Sequence, residues 1–245
     1  MLGDAISSAS SAGCTWAEEL EQNGALELLK ENLKEEKEAD VKLTGLAKSS
    51  QNAKAKQRGG RKPSSALQLA FIRELRQMYD AEHLLINTLE EVAYYATSGV
   101  LRFAVRHHRS QTEKHVQRLQ KVFGELGETV DRKPCEGIEG IIDDAQVTVE
   151  EFLGNPALDA AMIAAAQKAE HYEITTYGTL CTWAKELGER TVLGLLKDNL
   201  SDEKTTDHIL SLAGELIWNR KAQRHGSVKR TSEMGEFVKM ATHGQ

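Results

Sequence analysis

The stretch Glu170-His171-Tyr172-Glu173 places two carboxylates three residues apart, in the middle of a long apolar pattern over residues 160–187. Residues three apart lie one above the other on a helix, so Glu170 and Glu173 point the same way. Alternating steps of four and three residues place Glu170 in the apolar stripe typical of a helical bundle: Ile163, Gln167, Glu170, Ile174, Tyr177, Cys181 and Ala184. A carboxylate in such a stripe is costly unless a cation meets it. The spacing therefore predicts a cationic partner.

Three other long amphipathic patterns carry polar residues at the same depth. Together with the pattern that holds Glu170, they predict helices at about 66–96, 99–126, 156–187 and 190–221. Near the middle of each helix the apolar stripe is interrupted, by Glu82; by His108, Thr112 and His115; by Glu170 and Glu173; and by Glu203 and Asp207. Antiparallel helices of similar length bring their midpoints to one level. We therefore expect five carboxylates and up to two imidazoles in one layer of the core.

Such a layer suggests a metal centre. Close carboxylates repel one another, and without a cation some would have to stay protonated. Carboxylate and imidazole ligands from facing helices hold two iron or manganese ions in ferritin-like bundles. We therefore predict iron or manganese as the cofactor, as a di-metal centre that acts on dioxygen or peroxide. The alternative is a buried polar layer that only fixes the register of the helices.

The composition favours an all-α protein with few classes of partner. Only 3 of the 245 residues are proline, and the net charge of -6 argues against a general nucleic-acid binder. Three widely spaced cysteines, Cys14, Cys135 and Cys181, fit neither a disulfide framework nor a zinc site and suggest a reducing compartment. No signal peptide is expected, because the first 20 residues carry no basic n-region and no sustained apolar run, and no membrane span is expected, because no run of 18 apolar residues exists. We therefore expect a cytoplasmic protein.

An internal repeat divides the chain. Residues 14–43 align without gaps with residues 181–210, and 16 of these 30 positions are identical. Residues 1–47 are therefore predicted to form a helical hairpin, a partial repeat of the C-terminal part of the main domain. Residues 48–65 are predicted to be a basic flexible linker, residues 66–222 the bundle domain, and residues 223–245 a mobile tail.

Short breaks separate the helices of the main domain. Thr97-Ser98-Gly99 supplies capping residues, Pro156 suits the first position of a helix, and Gly188 suits the position just after one. Between the second and third long helices, residues 136–153 carry a shorter amphipathic pattern. We predict an extra crossover helix there.

Several motifs between residues 66 and 216 occur together in one known family. They are Glu74-Leu75 with Tyr79-Asp80-Ala81-Glu82; His115-Val116-Gln117-Arg118-Leu119 with Val122-Phe123; Cys135-Glu136-Gly137-Ile138-Glu139-Gly140; Ala169-Glu170-His171-Tyr172-Glu173 with Tyr177-Gly178-Thr179-Leu180; and Asp202-Glu203-Lys204 with Asp207. With these motifs the chain resembles the YciE/YciF group of bacterial stress proteins. The resemblance implies a ferritin-like four-helix bundle with an extra helix, usually a homodimer, and a di-metal centre.

The resemblance also implies ligands by position: Glu82, Glu170, Glu173, Glu203 and Asp207. His115 stands where the group has His or Gln, and Gln111 where it usually has Glu. An amide is a weaker, neutral ligand, so the centre could be asymmetric or hold one metal. The predicted function is thus a ferritin-like stress-response protein with redox activity. The alternative is a non-catalytic structural or interaction protein, and metal storage ranks last because nothing suggests a cage.

Overall fold

A computed structural model gives the structure of the chain and describes residues 14, 16–18, 20–46 and 65–214. All its regular elements within these residues are helices: α1 (Asn23–Leu46), α2 (Ala66–Tyr95), α3 (Gly99–Leu126), α4 (Glu136–Phe152), α5 (Leu158–Leu187) and α6 (Arg190–Ala213). The all-α fold predicted from the sequence is confirmed. The predicted tail, and all of the predicted linker except Ser65, lie outside the described residues.

Four long helices form the bundle. Helix α2 packs against α3, α3 against α6, α6 against α5, and α5 against α2, so the helices follow one another in this order around the core. Connections of only a few residues join α2 to α3 and α5 to α6, which makes each of these pairs antiparallel. Helix α4 packs across α5 and α2 and carries the chain along the bundle from α3 to α5. This is the four-helix bundle with an extra crossover helix that the sequence predicted.

The helix ends follow local sequence signals. Ser65 and Ser98 are N-caps, and their hydroxyl oxygens accept hydrogen bonds from the amides of Gln68 (3.1 Å) and Val100 (3.3 Å). Gly188 ends α5 at a φ of 82°, a backbone conformation that favours glycine.

The start of α5 differs from the prediction. The helix begins at Leu158 rather than at Pro156, because Pro156 lies in the preceding turn. In that turn the side-chain oxygen of Asn155 accepts a hydrogen bond from the Ala157 amide at 2.9 Å. A local side-chain bond of this kind competes with helix formation and delays the first turn.

Two apolar clusters lie on either side of the polar layer. One joins the first half of α2 to the second half of α3 and includes Phe71, Leu75, Leu119 and Phe123. The other joins the opposite halves and includes Leu89, Leu101, Val105 and Ile163. Burying each large side chain stabilises the fold by roughly 1.5–3 kcal/mol. These two clusters therefore offset the unfavourable burial of the polar layer between them.

Asp159 ties the α2–α3 turn to the first turn of α5. Its carboxylate is 2% exposed and accepts hydrogen bonds from the Thr97 amide and hydroxyl, both at 2.8 Å, and from the Ser98 amide at 2.9 Å. All three donors are thereby satisfied inside the protein. Because Glu170 lies about three helical turns along from Asp159, this junction also sets the height of Glu170 in the bundle.

Helix α4 is held mainly at its N-terminal end. Asp80 of α2 accepts hydrogen bonds from Arg132 Nε at 2.7 Å and from the amide of Cys135, the N-cap of α4, at 3.0 Å. Gly137 lets the ring of Tyr172 come close, since a β-carbon there would lie 2.9 Å from Tyr172 Cε2. Further along α4, contacts are partial, and Ile138 is its one buried residue.

The N-terminal repeat contributes helix α1. Leu26 is buried with Cys14 and Ala17, and Leu29 and Leu33 pack against them. Leu43, which aligns with the buried Leu210 of α6, is 67% exposed. Among the described helices, none combines the length and the hydropathy needed to cross a bilayer.

Candidate metal centre

Six buried side chains from all four long helices form one layer at the middle of the bundle: Glu82, His108, His115, Glu170, Glu173 and Glu203. Helix α2 supplies one of them, α3 two, α5 two and α6 one. None is more than 5% exposed. The layer thus combines four carboxyl groups and two imidazoles out of contact with solvent.

The six side chains form two overlapping groups. In the first, ligand atoms of His108, Glu170, Glu173 and Glu203 all lie within 4.8 Å of one another; in the second, those of Glu82, His115 and Glu203 do. Glu203 belongs to both groups. Its Oε1 lies 2.7 Å from His115 Nδ1, and its Oε2 lies 3.9 Å from His108 Nε2. Glu203 is therefore placed as a bridging carboxylate would be.

Tight spacing within each group comes from facing helices. His108 Nε2 of α3 lies 2.9 Å from Glu170 Oε1 of α5, and His115 Nδ1 lies 3.4 Å from Glu82 Oε1 of α2. In each of these two pairs, the two atoms are close enough to face the same small ion.

Unsatisfied atoms concentrate in this layer. Of the nine buried side-chain nitrogen and oxygen atoms that lack a hydrogen-bond partner within the described residues, seven belong to it. Both oxygens of Glu173 are among them; His115 Nδ1 and Glu203 Oε1 are also among them but lie 2.7 Å apart and form an ion pair, so Glu173 is the clearest case. Leaving a buried polar atom unsatisfied costs about 1–3 kcal/mol. The donor set therefore fits a metal ion, which would use these lone pairs, better than a hydrogen-bonded structural layer.

Burial changes the protonation of the layer. It raises the pKa of Glu170 and Glu203 to about 8, and that of Glu173 well above its ordinary range. Burial alone would lower the pKa of His115, but the carboxylates of Glu82 and Glu203 raise it to about 11. Burial lowers the pKa of His108. Without metal, the layer therefore retains protons near neutral pH, and a divalent cation would displace them.

Each of the two histidine rings is oriented by a polar side chain that contacts the ring nitrogen facing away from the carboxylates. His115 Nε2 lies 3.3 Å from Asp202 Oδ2, which also accepts a hydrogen bond from Arg118 Nη1 at 2.8 Å. His108 Nδ1 lies 3.3 Å from the hydroxyl oxygen of Thr206. His115 Nε2 and His108 Nδ1 thus each have a polar partner, whereas His115 Nδ1 and His108 Nε2 face the carboxylates. In metal sites, a polar partner of this kind fixes the orientation of the ligating imidazole.

Tyr177 holds Glu82. The fully buried phenol donates a hydrogen bond to Glu82 Oε1 and accepts one from Asn199 Nδ2 at 2.8 Å. Asn199 Oδ1 in turn accepts a hydrogen bond from Arg118 at 2.9 Å. This network fixes one oxygen of Glu82 and leaves the other, Oε2, without a partner in the layer.

The structure brings together five of the seven predicted ligands: Glu82, His115, Glu170, Glu173 and Glu203. Asp207 lies four residues beyond Glu203 on α6, outside both groups, with Oδ1 3.9 Å from His171 Nδ1. Gln111 is half-buried on α3, between the two layer histidines in sequence. The roles of Gln111 and Asp207 as ligands stay predictions.

His108 joins the layer although the resemblance did not point to it. The apolar stripe predicted for α3 already contained His108, and its position in that stripe was the signal that could have identified it as a member of the layer. Its neighbour His107 is exposed. One histidine of the adjacent pair therefore faces the core and the other faces solvent.

The layer departs from the usual ferritin-like ligand pattern. That pattern has one Glu on each of two helices and a Glu-x-x-His motif on each of the other two. Here Thr112 replaces the Glu that would precede His115, and Thr206 replaces the His that would follow Glu203. Glu173 and His108 restore the total of four carboxylates and two imidazoles. The layer thus has the same number of carboxylates and imidazoles as the usual pattern, but two of them lie at different sequence positions.

A four-helix bundle with a crossover helix and a buried carboxylate–histidine layer defines a ferritin-like protein. Residues 66–223 match the family described as a domain of unknown function, DUF892. The chain belongs to this family, which is the YciE/YciF group.

Two relatives illustrate the similarity. The chain is 38% identical over 154 residues to Protein YciF of Escherichia coli (strain K12), covering 62% of this chain and 93% of YciF. The crystal structure of the E. coli stress protein YciF matches with a TM-score of 0.58 and 35% identity, over 63% of this chain and 98% of that one. YcfI from Rhodopseudomonas palustris matches with a TM-score of 0.59 and 34% identity, over 62% and 97% of the two chains.

Proposed function

We propose that this protein is a ferritin-like metal protein that binds two iron or manganese ions and uses them in redox chemistry with peroxide or dioxygen. The two carboxyl oxygens of the buried Glu173, neither of which has a hydrogen-bond partner, carry the proposal. The name of the E. coli stress protein YciF supports a role in stress defence. We further propose a homodimer, as the resemblance implied. From the composition we also propose that it is cytoplasmic and recognises neither a membrane nor a specific nucleic acid.

In this proposal, each of the two groups of the layer would form one ion site. His108, Glu170 and Glu173 would hold one ion, Glu82 and His115 the other, and Glu203 would bridge them. When bound, such metals supply electrons for the reduction of an oxygen species. Reduction of one peroxide molecule to two waters takes two electrons and two protons.

A polar route connects the layer to solvent. Asp202 and Arg118 have partly exposed side chains, 30% and 24%, and Asp202 contacts the ring of the fully buried His115. Asp202 therefore links the ring of His115 to the surface of the protein. Protons that follow these polar groups would reach the layer without opening the apolar clusters.

The second candidate is a structural layer that fixes helix register. The close His108–Glu170 and His115–Glu203 pairs favour it, because two ion pairs could stabilise the bundle without metal. Both oxygens of Glu173 count against it, since neither pair satisfies them.

Metal analysis of protein purified under native conditions tests the proposal. We expect about two equivalents of iron or manganese per chain, in line with two ligand groups. Glu203→Ala should remove both, because Glu203 belongs to both groups. Glu90→Ala is the matched control: Glu90 lies on α2 with Glu82, but its side chain is 58% exposed. Wild-type protein that takes up no metal would establish the structural alternative.

A further inference from the structure

An apolar cavity of about 50 Å³ adjoins the metal layer. It lies beneath α4, between α2, α3 and α5, and most of its wall is aliphatic, including Leu89, Val105, Ile142, Val149 and Met162. The other lining residues are Thr88 and three members of the first ligand group, His108, Glu170 and Glu173. The cavity therefore ends on groups that would hold an ion.

The wall offers a guest almost no hydrogen bonds away from the layer. The Thr88 hydroxyl already donates to the Leu84 carbonyl oxygen at 3.1 Å. A buried water needs two to four polar partners, and apolar cavities without them stay dry and take up apolar guests. Along this aliphatic part of the cavity, a polar guest such as peroxide would lose its hydrogen bonds to water, at roughly 2–7 kcal/mol for each unpaired group.

The cavity and the polar route lie on opposite sides of the bundle. Helices follow the order α2, α3, α6, α5 around the core. Arg118 and Asp202 lie on α3 and α6, whereas the cavity lies under α4 and is lined by residues of α2, α3, α4 and α5 but by none of α6. A reactant entering through the cavity would thus reach His108, Glu170 and Glu173 without crossing the proton route.

We propose that this cavity binds dioxygen and delivers it to the first ligand group. The inference rests on the proposed function, and it selects the oxidant that the proposed function left open. Dioxygen is small, uncharged and apolar, so it gives up no hydrogen bonds on entering. Small side chains on α5, at Ala165, Ala166 and Ala169, leave the room for it directly before Glu170.

A single substitution can fill the cavity. Ala166 lines it one helical turn before Glu170, so a leucine there would project into the space without replacing any residue of the layer. Ala161→Leu is the matched control, because Ala161 is half-buried on the same helix and outside the lining. Each variant is compared with wild type after metal removal and after loading with ferrous iron.

Xenon binding to the metal-free full chain tests the cavity itself. Crystals under xenon pressure, or xenon-129 NMR in solution, should show xenon beneath α4 in the wild type and in Ala161→Leu, and none in Ala166→Leu. Absence of xenon from the wild-type cavity would overturn the proposal.

Oxidation of the ferrous-loaded protein tests the choice of oxidant. We expect Ala166→Leu to slow oxidation by dioxygen roughly tenfold, equivalent to about 1.4 kcal/mol in the barrier, and to leave oxidation by peroxide unchanged. Equal slowing with both oxidants, or with neither, would refute delivery through the cavity. Failure of the wild type to take up iron would refute the proposed function instead, and the xenon result separates the two cases.

Discussion

Replacing Glu173 by leucine should stabilise the metal-free protein. Glu173 is 1% exposed, and neither of its carboxyl oxygens has a hydrogen-bond partner. Its pKa is raised well above the ordinary range by burial and by the neighbouring acids Glu203, Glu82 and Glu170, so near neutral pH it is buried as a neutral, unsatisfied acid. A leucine has similar volume and no polar atom to satisfy.

The size of the effect follows from the two unsatisfied oxygens. Each costs about 1–3 kcal/mol, so Glu173→Leu should raise the free energy of unfolding of the metal-free protein by about 2 kcal/mol or more. For a protein of this size that corresponds to a rise in Tm of roughly 4–8 °C. With metal present this gain should be largely offset, because an ion at a hundred times its Kd stabilises the wild type by about 2.7 kcal/mol and the variant lacks a ligand.

Urea denaturation and thermal melts, each with chelator and with added iron or manganese, provide the assay. Asn199→Leu is the matched control, because Asn199 is equally buried but has its oxygen and nitrogen paired with Arg118 and Tyr177. Asn199→Leu should lower the free energy of unfolding both of the metal-free and of the metal-loaded protein. A metal-free Glu173→Leu protein less stable than the wild type would refute the reasoning, since the carboxyl group would then have a structural partner.

Three further outcomes are expected. The pKa values of Glu170 and Glu203 rise from an ordinary 4.5 in the unfolded chain to about 8 in the folded metal-free protein. Between pH 4.5 and 8 the folded protein therefore binds more protons than the unfolded chain, so its free energy of unfolding, measured in urea titrations, should fall as pH rises from 5 to 8. Asp159→Ala removes the buried acceptor of three part-buried hydrogen bonds and should lower the free energy of unfolding by about 3 kcal/mol in the same assay. Asp202→Asn weakens the support of His115 and should lower metal affinity roughly 10–100-fold by calorimetry.

Each of these outcomes has its own control. A Glu170→Gln, Glu203→Gln double variant should flatten the pH dependence, and an unchanged slope would assign it to other groups. Asp143→Ala, at an exposed position of α4, should leave stability unaltered. Asp198→Asn, exposed on α6 one turn before Asp202, should retain full metal affinity; equal loss in both variants would show a general charge effect.

Periodicity was enough to predict the depth of the layer. A stripe repeating every three or four residues fixes which side chains face the core, and antiparallel packing of helices of similar length fixes their height. Both rules depend on sequence position alone. They placed Glu82, His115, Glu170 and Glu203 together before any coordinates, and the bounds of α2 and α3 were predicted to within one residue.

Contacts between side chains on different helices could not be predicted in this way. The approach of Thr206 to His108, and of Asp202 to His115, depends on rotamers and on small axial shifts between α3 and α6. Neither quantity appears in a single sequence. The start of α5 was predicted two residues early because the Asn155 side chain makes its own turn.

Helix α4 buries only Ile138 of its 17 residues, and this bears on motion. An element with so few buried contacts should open locally at a lower free energy than the long helices around it. Since α4 is also one wall of the apolar cavity, its transient detachment would set how fast a gas molecule enters or leaves. Amide hydrogen exchange along residues 140–152 would then report the opening rate of that entrance, independently of any chemistry in the interior.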